Sequence, residues 1–182
     1  MRLFHFSEDP GIALFTPRPV RAPSARAPGR DWLNGPLVWA IDAARQPMYL
    51  FPRDCPRILL WPTPETSEAD RALWLGDAEA RVVAHIEAAW AETHARAAIH
   101  RYDLPPASFE DLKDSGMWVC REPVQPLGLA TFTDLPAELA AQGAALRVVD
   151  SLEPLRAAYG STLAFNGLRL RHAGNPPVAR TF

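Results

Sequence analysis

The sequence predicts an α+β domain whose β-sheet is split, with mixed or antiparallel pairing and flanking helices. Short apolar runs typical of strands outnumber segments with a helical period, and the two kinds of element follow one another in irregular order. A doubly wound nucleotide fold would carry a glycine-rich phosphate loop, but neither GxGxxG nor GxxxxGK[ST] occurs. With 182 residues, 48% of them hydrophobic, we expect one domain spanning residues 1–182.

The first apolar run forms the opening strand, and its interior carries a histidine. In period-2 geometry Leu3, His5 and Ser7 share one face, while Phe4 and Phe6 share the other. We expect the phenylalanines to pack against a helix layer and the polar face to receive a ligand. A neutral imidazole and a hydroxyl can each donate and accept a hydrogen bond, which suits a ribose diol. The alternative is structural: a histidine bonded to a nearby carbonyl and a serine that ends the strand.

Residues 8–36 are predicted to form a long loop, because prolines and glycines recur throughout and prevent long regular elements. Residues 20–30 are expected to be its most mobile part. Arg18 lies between two prolines, which hold it in an extended segment from which it can reach over a site. The alternative for Arg18 is an ordinary solvated arginine.

The remaining strands are predicted from short β-rich apolar runs bounded by turn residues. They lie near residues 37–41, 57–61, 117–121, 127–132, 145–149 and 163–171.

The predicted helices are identified by their caps and by helical periodicity. A short one starts at Ser67, with Asp70 at the capping-box position, and ends before Gly76. The longest runs from Asp77 to about residue 99 and covers the sheet. Two more are predicted: one capped by Asp134 and closed by Gly143, and one from Asp150, with Glu153 as capping partner, to about Gly160.

Aromatic and charged residues alternate in the proline-bracketed stretch 47–57. Tyr49 offers a flat face for stacking on a nucleobase-like ring, and Arg53 offers a fork for phosphate or carboxylate. Alternatively, Tyr49 belongs to the core, and Arg53 forms a structural ion pair with Asp54.

Glu122 follows the predicted strand at 117–121 and is the candidate catalytic carboxylate, suited to stabilising an oxocarbenium-like centre. Its alternative is an ion pair with Arg121 at the strand end.

Metal binding is not expected, because His85, His94, His100 and His172 lack ligand spacing, and we expect these histidines to face solvent. The formal net charge of −2 gives no strong nucleic-acid signal, so any phosphate contact must be local. Two cysteines without CxxC spacing and the absence of an apolar run of membrane length predict a cytoplasmic protein without membrane partners. Cys55 is expected to be a packed thiol.

The whole chain resembles a family of short bacterial proteins of unassigned function. The stretches that carry the resemblance are LFHFSEDPGIALFTPRP, VWAID, PMYLFPRDCPR, WVCREPVQP and STLAFNGLRLRHA.

A more distant resemblance is to the ADP-ribosyltransferase superfamily, whose split sheet binds NAD. His5, in a His-x-Ser pattern, is similar to that superfamily's histidine on an early strand, and Tyr49 is similar to the tyrosine that stacks on nicotinamide. Glu122 is the nearest match to the catalytic acid, although it sits at the far end of its strand.

The resemblance implies an ADP-ribosyltransferase-like fold that binds NAD or another nucleotide, with no metal. The implied site comprises His5, Ser7, Tyr49, Arg53 and Arg18, with Glu122 as the catalytic residue for transfer of ADP-ribose. Two alternatives remain open: a non-catalytic small-molecule-binding protein, and a protein-interaction module, for example a homodimer.

Overall fold

A computed structural model of the chain describes residues 1–177 as an α+β structure with two β-sheets. It confirms the predicted α+β class and the mixed and antiparallel pairing of strands. Two compact units are present: unit 1 contains Met1–Gln46 and His100–Thr131, and unit 2 contains Pro47–Ile99 and the chain from Phe132 onward. Within residues 1–177, no helix combines the length and the apolar character needed to span a membrane.

The strands confirm most of the predicted positions to within a residue or two. They are β1 Leu3–Ser7, β2 Val38–Asp42, β3 Arg57–Trp61, β4 Val82–Glu87, β5 Ile99–Leu104, β6 Glu110–Asp111, β7 Met117–Cys120, β8 Gly128–Phe132, β9 Ala144–Val149 and β10 Ala164–Leu168.

The sheet of unit 1 has the order β6-β7-β2-β1-β5-β8, which places the opening strand near its centre. β1 pairs antiparallel with β2 on one side and with β5 on the other. β5 was not predicted, although its sequence alternates apolar and polar residues as a half-buried strand should. Its Tyr102 lies opposite His5.

The core of unit 1 packs on the face of β1 that we expected to receive a ligand. Leu3, on that face, is only 1% exposed. On the other face Phe4 is buried and Phe6 is half-buried, and the guanidinium groups of Arg2 and Arg101 lie 5.0 and 4.3 Å from the centre of the Phe4 ring. The cluster around Leu3 consists of Leu3, Phe15, Val38, Ala40, Tyr102, Leu104, Phe109, Cys120 and Val124.

The long loop of unit 1 is irregular, as predicted, but two isolated bridges join it to the rest of the unit. Phe15 pairs with Val124 and Arg18 pairs with Leu37, each through antiparallel backbone hydrogen bonds. A 3-10 turn at Asp31–Asn34 then leads into β2.

The sheet of unit 2 has the order β10-β3-β4-β9 and is mixed, because β4 pairs antiparallel with β3 and parallel with β9. The prediction of one long helix from Asp77 to about residue 99 was wrong. All six residues of β4 are buried, so the segment is covered on both faces, whereas a surface helix exposes one side. The helix is confined to α2, Ala88–Arg96, which buries Trp90 and His94.

The caps of two other helices confirm their predictions. The Ser67 hydroxyl accepts the backbone N–H of Asp70 at 3.1 Å and starts α1, Glu68–Asp70, which continues as a π-helical turn over Arg71–Leu75. The Asp134 carboxylate accepts the N–H of Ala137 at 3.0 Å and starts α3, Leu135–Ala141.

The capping box predicted at Asp150 was wrong. The Ser151 hydroxyl, not the Asp150 side chain, accepts the N–H of Glu153, and a 3-10 helix follows at Pro154–Gly160. Proline at the first helical position needs no hydrogen-bond acceptor, so the turn begins there. The last predicted strand is also shorter than expected, because Arg169 adopts φ 56° and a 3-10 turn occupies Leu170–His172.

Candidate functional site

His5 is held on β1 by the backbone of the neighbouring strand. Its Nδ1 lies 2.8 Å from the carbonyl oxygen of Trp39. Because a carbonyl can only accept, Nδ1 carries the proton and donates, and Nε2 is the accepting nitrogen of the neutral ring. The imidazole centre lies 4.6 Å from that of Phe15. The ring is half-buried and fixed in one orientation.

Ser7 organises the start of the long loop. Its hydroxyl accepts the N–H of Asp9 at 3.1 Å, and the Asp9 carboxylate accepts the N–H of Gly11 at 2.8 Å. Two such side-chain turns, one at Ser7 and the next at Asp9, define the direction in which the chain leaves β1. In the structure, the Ser7 hydroxyl is therefore engaged by the loop that begins beside it.

Tyr102 is the part of this region that sequence reasoning missed, and it packs against Phe15 of the long loop. The Tyr102 hydroxyl donates to the Asp9 carbonyl at 2.7 Å and accepts the N–H of Ile12 at 3.1 Å. The ring of Phe15 packs edge-on against Tyr102, with 5.1 Å between ring centres. Tyr102 lies in β5, a strand that was not predicted.

An open groove of about 360 Å³ lies beside these loop contacts in unit 1. No charged side chain lines it. The exposed fractions of Leu127 and Leu129 are 71% and 49%. The lining residues are Pro10, Gly11, Ile12, Ala13, Tyr102, Pro126, Leu127, Gly128 and Leu129.

Glu122 follows the end of β7 and is exposed. Its backbone N–H lies 3.4 Å from the sulfur of Cys120. Arg121 forms its ion pair with Glu110, at 3.0 Å. The structure therefore gives Arg121 a different carboxylate partner from the one considered at the sequence level.

Tyr49 and Arg53 belong to unit 2, in the turn that precedes β3. Tyr49 is half-buried, and the guanidinium carbon of Arg57 lies 5.9 Å from the centre of its ring. The backbone carbonyl of Arg53 accepts from Arg169 Nε at 3.0 Å, and Asp54 lies 3.9 Å from His172 Nε2.

Arg57 is the centre of this turn, and its role was not predicted. The Arg57 side chain is 4% exposed and lies over the ring of Phe51. It donates from Nε to the Met48 carbonyl at 2.9 Å and from a terminal nitrogen to the Cys55 carbonyl at 2.9 Å. Burial lowers the pKa of the Arg57 guanidinium to about 10, which leaves it charged at neutral pH. Burial raises the pKa of the Cys55 thiol to about 12, as befits a packed thiol.

Two histidines of unit 2 do not face solvent, contrary to expectation. His85, on β4, is 2% exposed, and His94, on α2, is fully buried. His94 Nε2 lies 3.0 Å from the carbonyl of Leu50, and His85 Nδ1 lies 3.3 Å from that of Ile58. Burial lowers the pKa of both imidazoles, that of His85 to about 4. Among residues 1–177, no group of three or more metal-ligating side chains is arranged to hold a metal ion.

The candidate residues are divided between the two units. His5, Ser7, Arg18 and Glu122 lie in unit 1, whereas Tyr49 and Arg53 lie in unit 2. Within unit 1, His5 and Ser7 share β1, Arg18 lies in the loop that pairs with the start of β2, and Glu122 lies beyond β7.

A protein-family model described as a family of unknown function, DUF6886, matches residues 4–173. No curated protein and no solved structure matches the chain. The resemblance to an uncharacterised family is thereby confirmed, while the one to ADP-ribosyltransferases stays a prediction. Because the match covers nearly the full length, the chain belongs to the family of unknown function DUF6886.

Proposed function

We propose that this protein binds NAD or a related nucleotide and that His5 contacts the ribose. The observation that carries the proposal is the fixed orientation of the His5 ring, whose Nδ1–H is committed to the Trp39 carbonyl at 2.8 Å. The neutral ring then has Nε2 as its acceptor, and a ribose hydroxyl is a suitable donor to it. A ring already fixed by its neighbours loses little conformational entropy when it binds a ligand.

Arg18 is the proposed phosphate ligand within unit 1, because a guanidinium binds a phosphate through two parallel hydrogen bonds. Two backbone hydrogen bonds with Leu37 fix the backbone of Arg18. Tyr49 and Arg53 lie in unit 2, outside the site proposed in unit 1.

Transfer of ADP-ribose is the proposed extension of this binding. The bond between ribose C1′ and nicotinamide would break, nicotinamide would leave as a neutral base, and an acceptor nucleophile would bond to C1′ and lose its proton. The Glu122 carboxylate is the candidate for stabilising the developing positive charge. Its exposed position after β7 offers little of the desolvation that strengthens such an interaction, so binding is the main proposal and transfer the secondary one.

The test is titration of the full chain with NAD by calorimetry, comparing the wild type with His5→Asn. The asparagine amide nitrogen can replace Nδ1 in the bond to the Trp39 carbonyl, but asparagine has no counterpart of Nε2. We expect His5→Asn to weaken NAD binding about tenfold or more with little change in Tm, as removal of one buried polar contact does.

A second pair of variants tests the phosphate contact. Arg18→Ala should weaken NAD binding about tenfold, whereas Arg96→Ala, the control at an arginine whose side chain is 80% exposed, should not change it. Wild-type protein that binds no NAD would overturn the proposal. Release of nicotinamide on incubation, abolished in Glu122→Gln, would support transfer, and NAD binding without release would leave a non-catalytic nucleotide-binding protein.

The protein-interaction alternative is favoured by one specific observation, the uncharged groove of unit 1 with Leu127 and Leu129 exposed beside it. Exposed large apolar side chains next to a groove are typical of interaction surfaces. If the partner is a second copy, sedimentation will show a dimer that Leu129→Asp dissociates. A monomer at all concentrations would exclude the homodimer.

A further inference from the structure

The arginine loop, residues 18–30, is rich in positive charge, and the first carboxylate after it is that of Asp31. The loop contains Arg18, Arg21, Arg26 and Arg30 and no aspartate or glutamate. Two of its guanidinium groups donate to neutral acceptors: Arg26 to Asn34 Oδ1 at 3.4 Å and Arg30 to the Leu112 carbonyl at 3.2 Å. Elsewhere in unit 1, Arg2 and Arg121 form ion pairs with carboxylates at 2.6 and 3.0 Å. Among residues 1–177, no carboxylate forms an ion pair with an arginine of the loop.

Hydrogen bonds tether the backbone of the arginine loop at Arg18, Val20 and Ser24. Arg18 exchanges two backbone hydrogen bonds with Leu37, at 3.2 and 3.1 Å, and Val20 donates to the Asn34 carbonyl. The Asn34 side chain accepts the N–H of Ser24 at 3.3 Å and donates to the Ser24 carbonyl at 3.0 Å. An asparagine that bonds both groups of one residue acts as a bracket across the loop.

Two tryptophans accompany the arginines. The guanidinium carbon of Arg26 lies 5.9 Å from the ring centre of Trp39, and that of Arg121 lies 4.5 Å from the ring centre of Trp32. Trp32 is 36% exposed. Arginines that track a phosphate backbone together with an accessible indole are the two components with which proteins bind unpaired nucleotides.

We propose that the arginine loop and Trp32 form a binding surface for single-stranded nucleic acid, with arginines on the phosphates and a base stacked on Trp32. The net charge of −2 for the whole chain opposes a long-range attraction to nucleic acid. At physiological ionic strength, however, charges act over about 8 Å, so the charge of the arginine loop itself governs binding at this surface. An anionic membrane fits less well. The residues between the arginines are Pro, Val, Ala, Ser and Gly, so Trp32 is the single large apolar side chain of this surface, which falls short of the apolar face that membrane-bound helices bury.

The experiment measures binding of a labelled, mixed-sequence single-stranded RNA of about 12 nucleotides to the full chain by fluorescence anisotropy. We expect a dissociation constant of about 1–100 µM near physiological salt, weakening as salt rises. The test variant carries Arg21→Ala, Arg26→Ala and Arg30→Ala together, and Arg18 is retained because the nucleotide proposal uses it. The control variant, Arg71→Ala with Arg96→Ala and Arg156→Ala, removes the same charge from unit 2.

The loop variant should bind the RNA about tenfold or more weakly, and its slope of log affinity against log salt should fall by about two, since each lost phosphate contact on a single strand contributes about 0.7. Replacing the same arginines by lysine should restore most of the affinity, because the charge is kept. Trp32→Ala should weaken RNA binding by about a further tenfold.

Three outcomes would overturn this inference. The wild type binds no RNA at about 100 µM, or the control variant loses as much RNA affinity as the loop variant. The third is that anionic vesicles bind the protein as tightly as the RNA does and displace the RNA. The inference is independent of the nucleotide proposal. The loop variant retains His5 and Arg18, so its NAD titration should match the wild type whichever way the RNA experiment ends.

Discussion

The two units differ in how deeply they bury their ionisable side chains. In unit 2 the charged or ionisable groups Arg57, His85, Glu87 and His94 are between 0 and 4% exposed. In unit 1 the corresponding group, His5, is half-buried, although it too bonds a backbone carbonyl. Full burial makes a polar group expensive to leave without a partner, whereas partial burial leaves it within reach of a ligand. The comparison indicates that unit 2 buries its ionisable groups fully, whereas His5 of unit 1 stays partly accessible.

The sharpest test of this difference is the loss of the buried cation of unit 2. Arg57→Met removes the donors to the carbonyls of Met48 and Cys55. Two buried acceptors without partners should lower the free energy of unfolding by about 3–4 kcal/mol. Urea unfolding followed by circular dichroism measures this loss. Arg121→Met, at an exposed arginine of unit 1, should cost no more than about 1 kcal/mol. Similar losses of unfolding free energy for Arg57→Met and Arg121→Met would contradict the difference between the two units.

A second test uses pH. Burial lowers the pKa of folded His85 from 6.5 to about 4, so the unfolded state binds the proton more tightly. The contribution of neutral His85 to the free energy of unfolding is therefore complete above pH 6.5. It is lost as pH falls from about 6.5 to about 4, and the total loss is about 3 kcal/mol.

Measurement of unfolding free energy at pH values across that window, with His85→Asn as the variant, checks this expectation. Asparagine can still bond the Ile58 carbonyl but does not titrate, so the slope should become shallower. An unchanged slope in His85→Asn would contradict the assignment.

The smallest of these effects concerns backbone geometry in unit 1. Gly116 has φ +77°, and a Cβ there would lie 2.7 Å from side-chain atoms of Arg45 and Asp42. Gly116→Ala should therefore lower the unfolding free energy by about 2 kcal/mol. Gly128→Ala, where no atom lies within 4 Å of the added carbon, should change it by less than about 0.5 kcal/mol. Equal losses of unfolding free energy for Gly116→Ala and Gly128→Ala would show that unit 1 tolerates backbone strain at Gly116.

Local signals account for the parts of the fold that were predicted correctly. The caps at Ser67 and Asp134 were found because a hydroxyl or carboxylate at a helix start satisfies backbone donors only a few residues away. β1, β2 and β3 were found for a similar reason, since short β-rich runs between turn residues need little information from elsewhere.

β4 was missed because its pattern is ambiguous. Val82, Val83 and Ile86 fit a helical period that continues into the true helix at Trp90. Only the pairing of β4 between β3 and β9 buries both of its faces. A short apolar run of this kind cannot be assigned from periodicity alone.

The candidate site shows the same division. That His5 and Ser7 share a strand face follows from their spacing, and the sequence alone determined it. The carbonyl that orients His5, the docking of Phe15 and the hydroxyl of Tyr102 were decided by the tertiary structure, because their partners lie 34, 109 and 93 positions away. Backbone preferences and caps act over a few residues and can be read from the chain. Burial and hydrogen-bond partners depend on which distant segments meet, and only packing decides that.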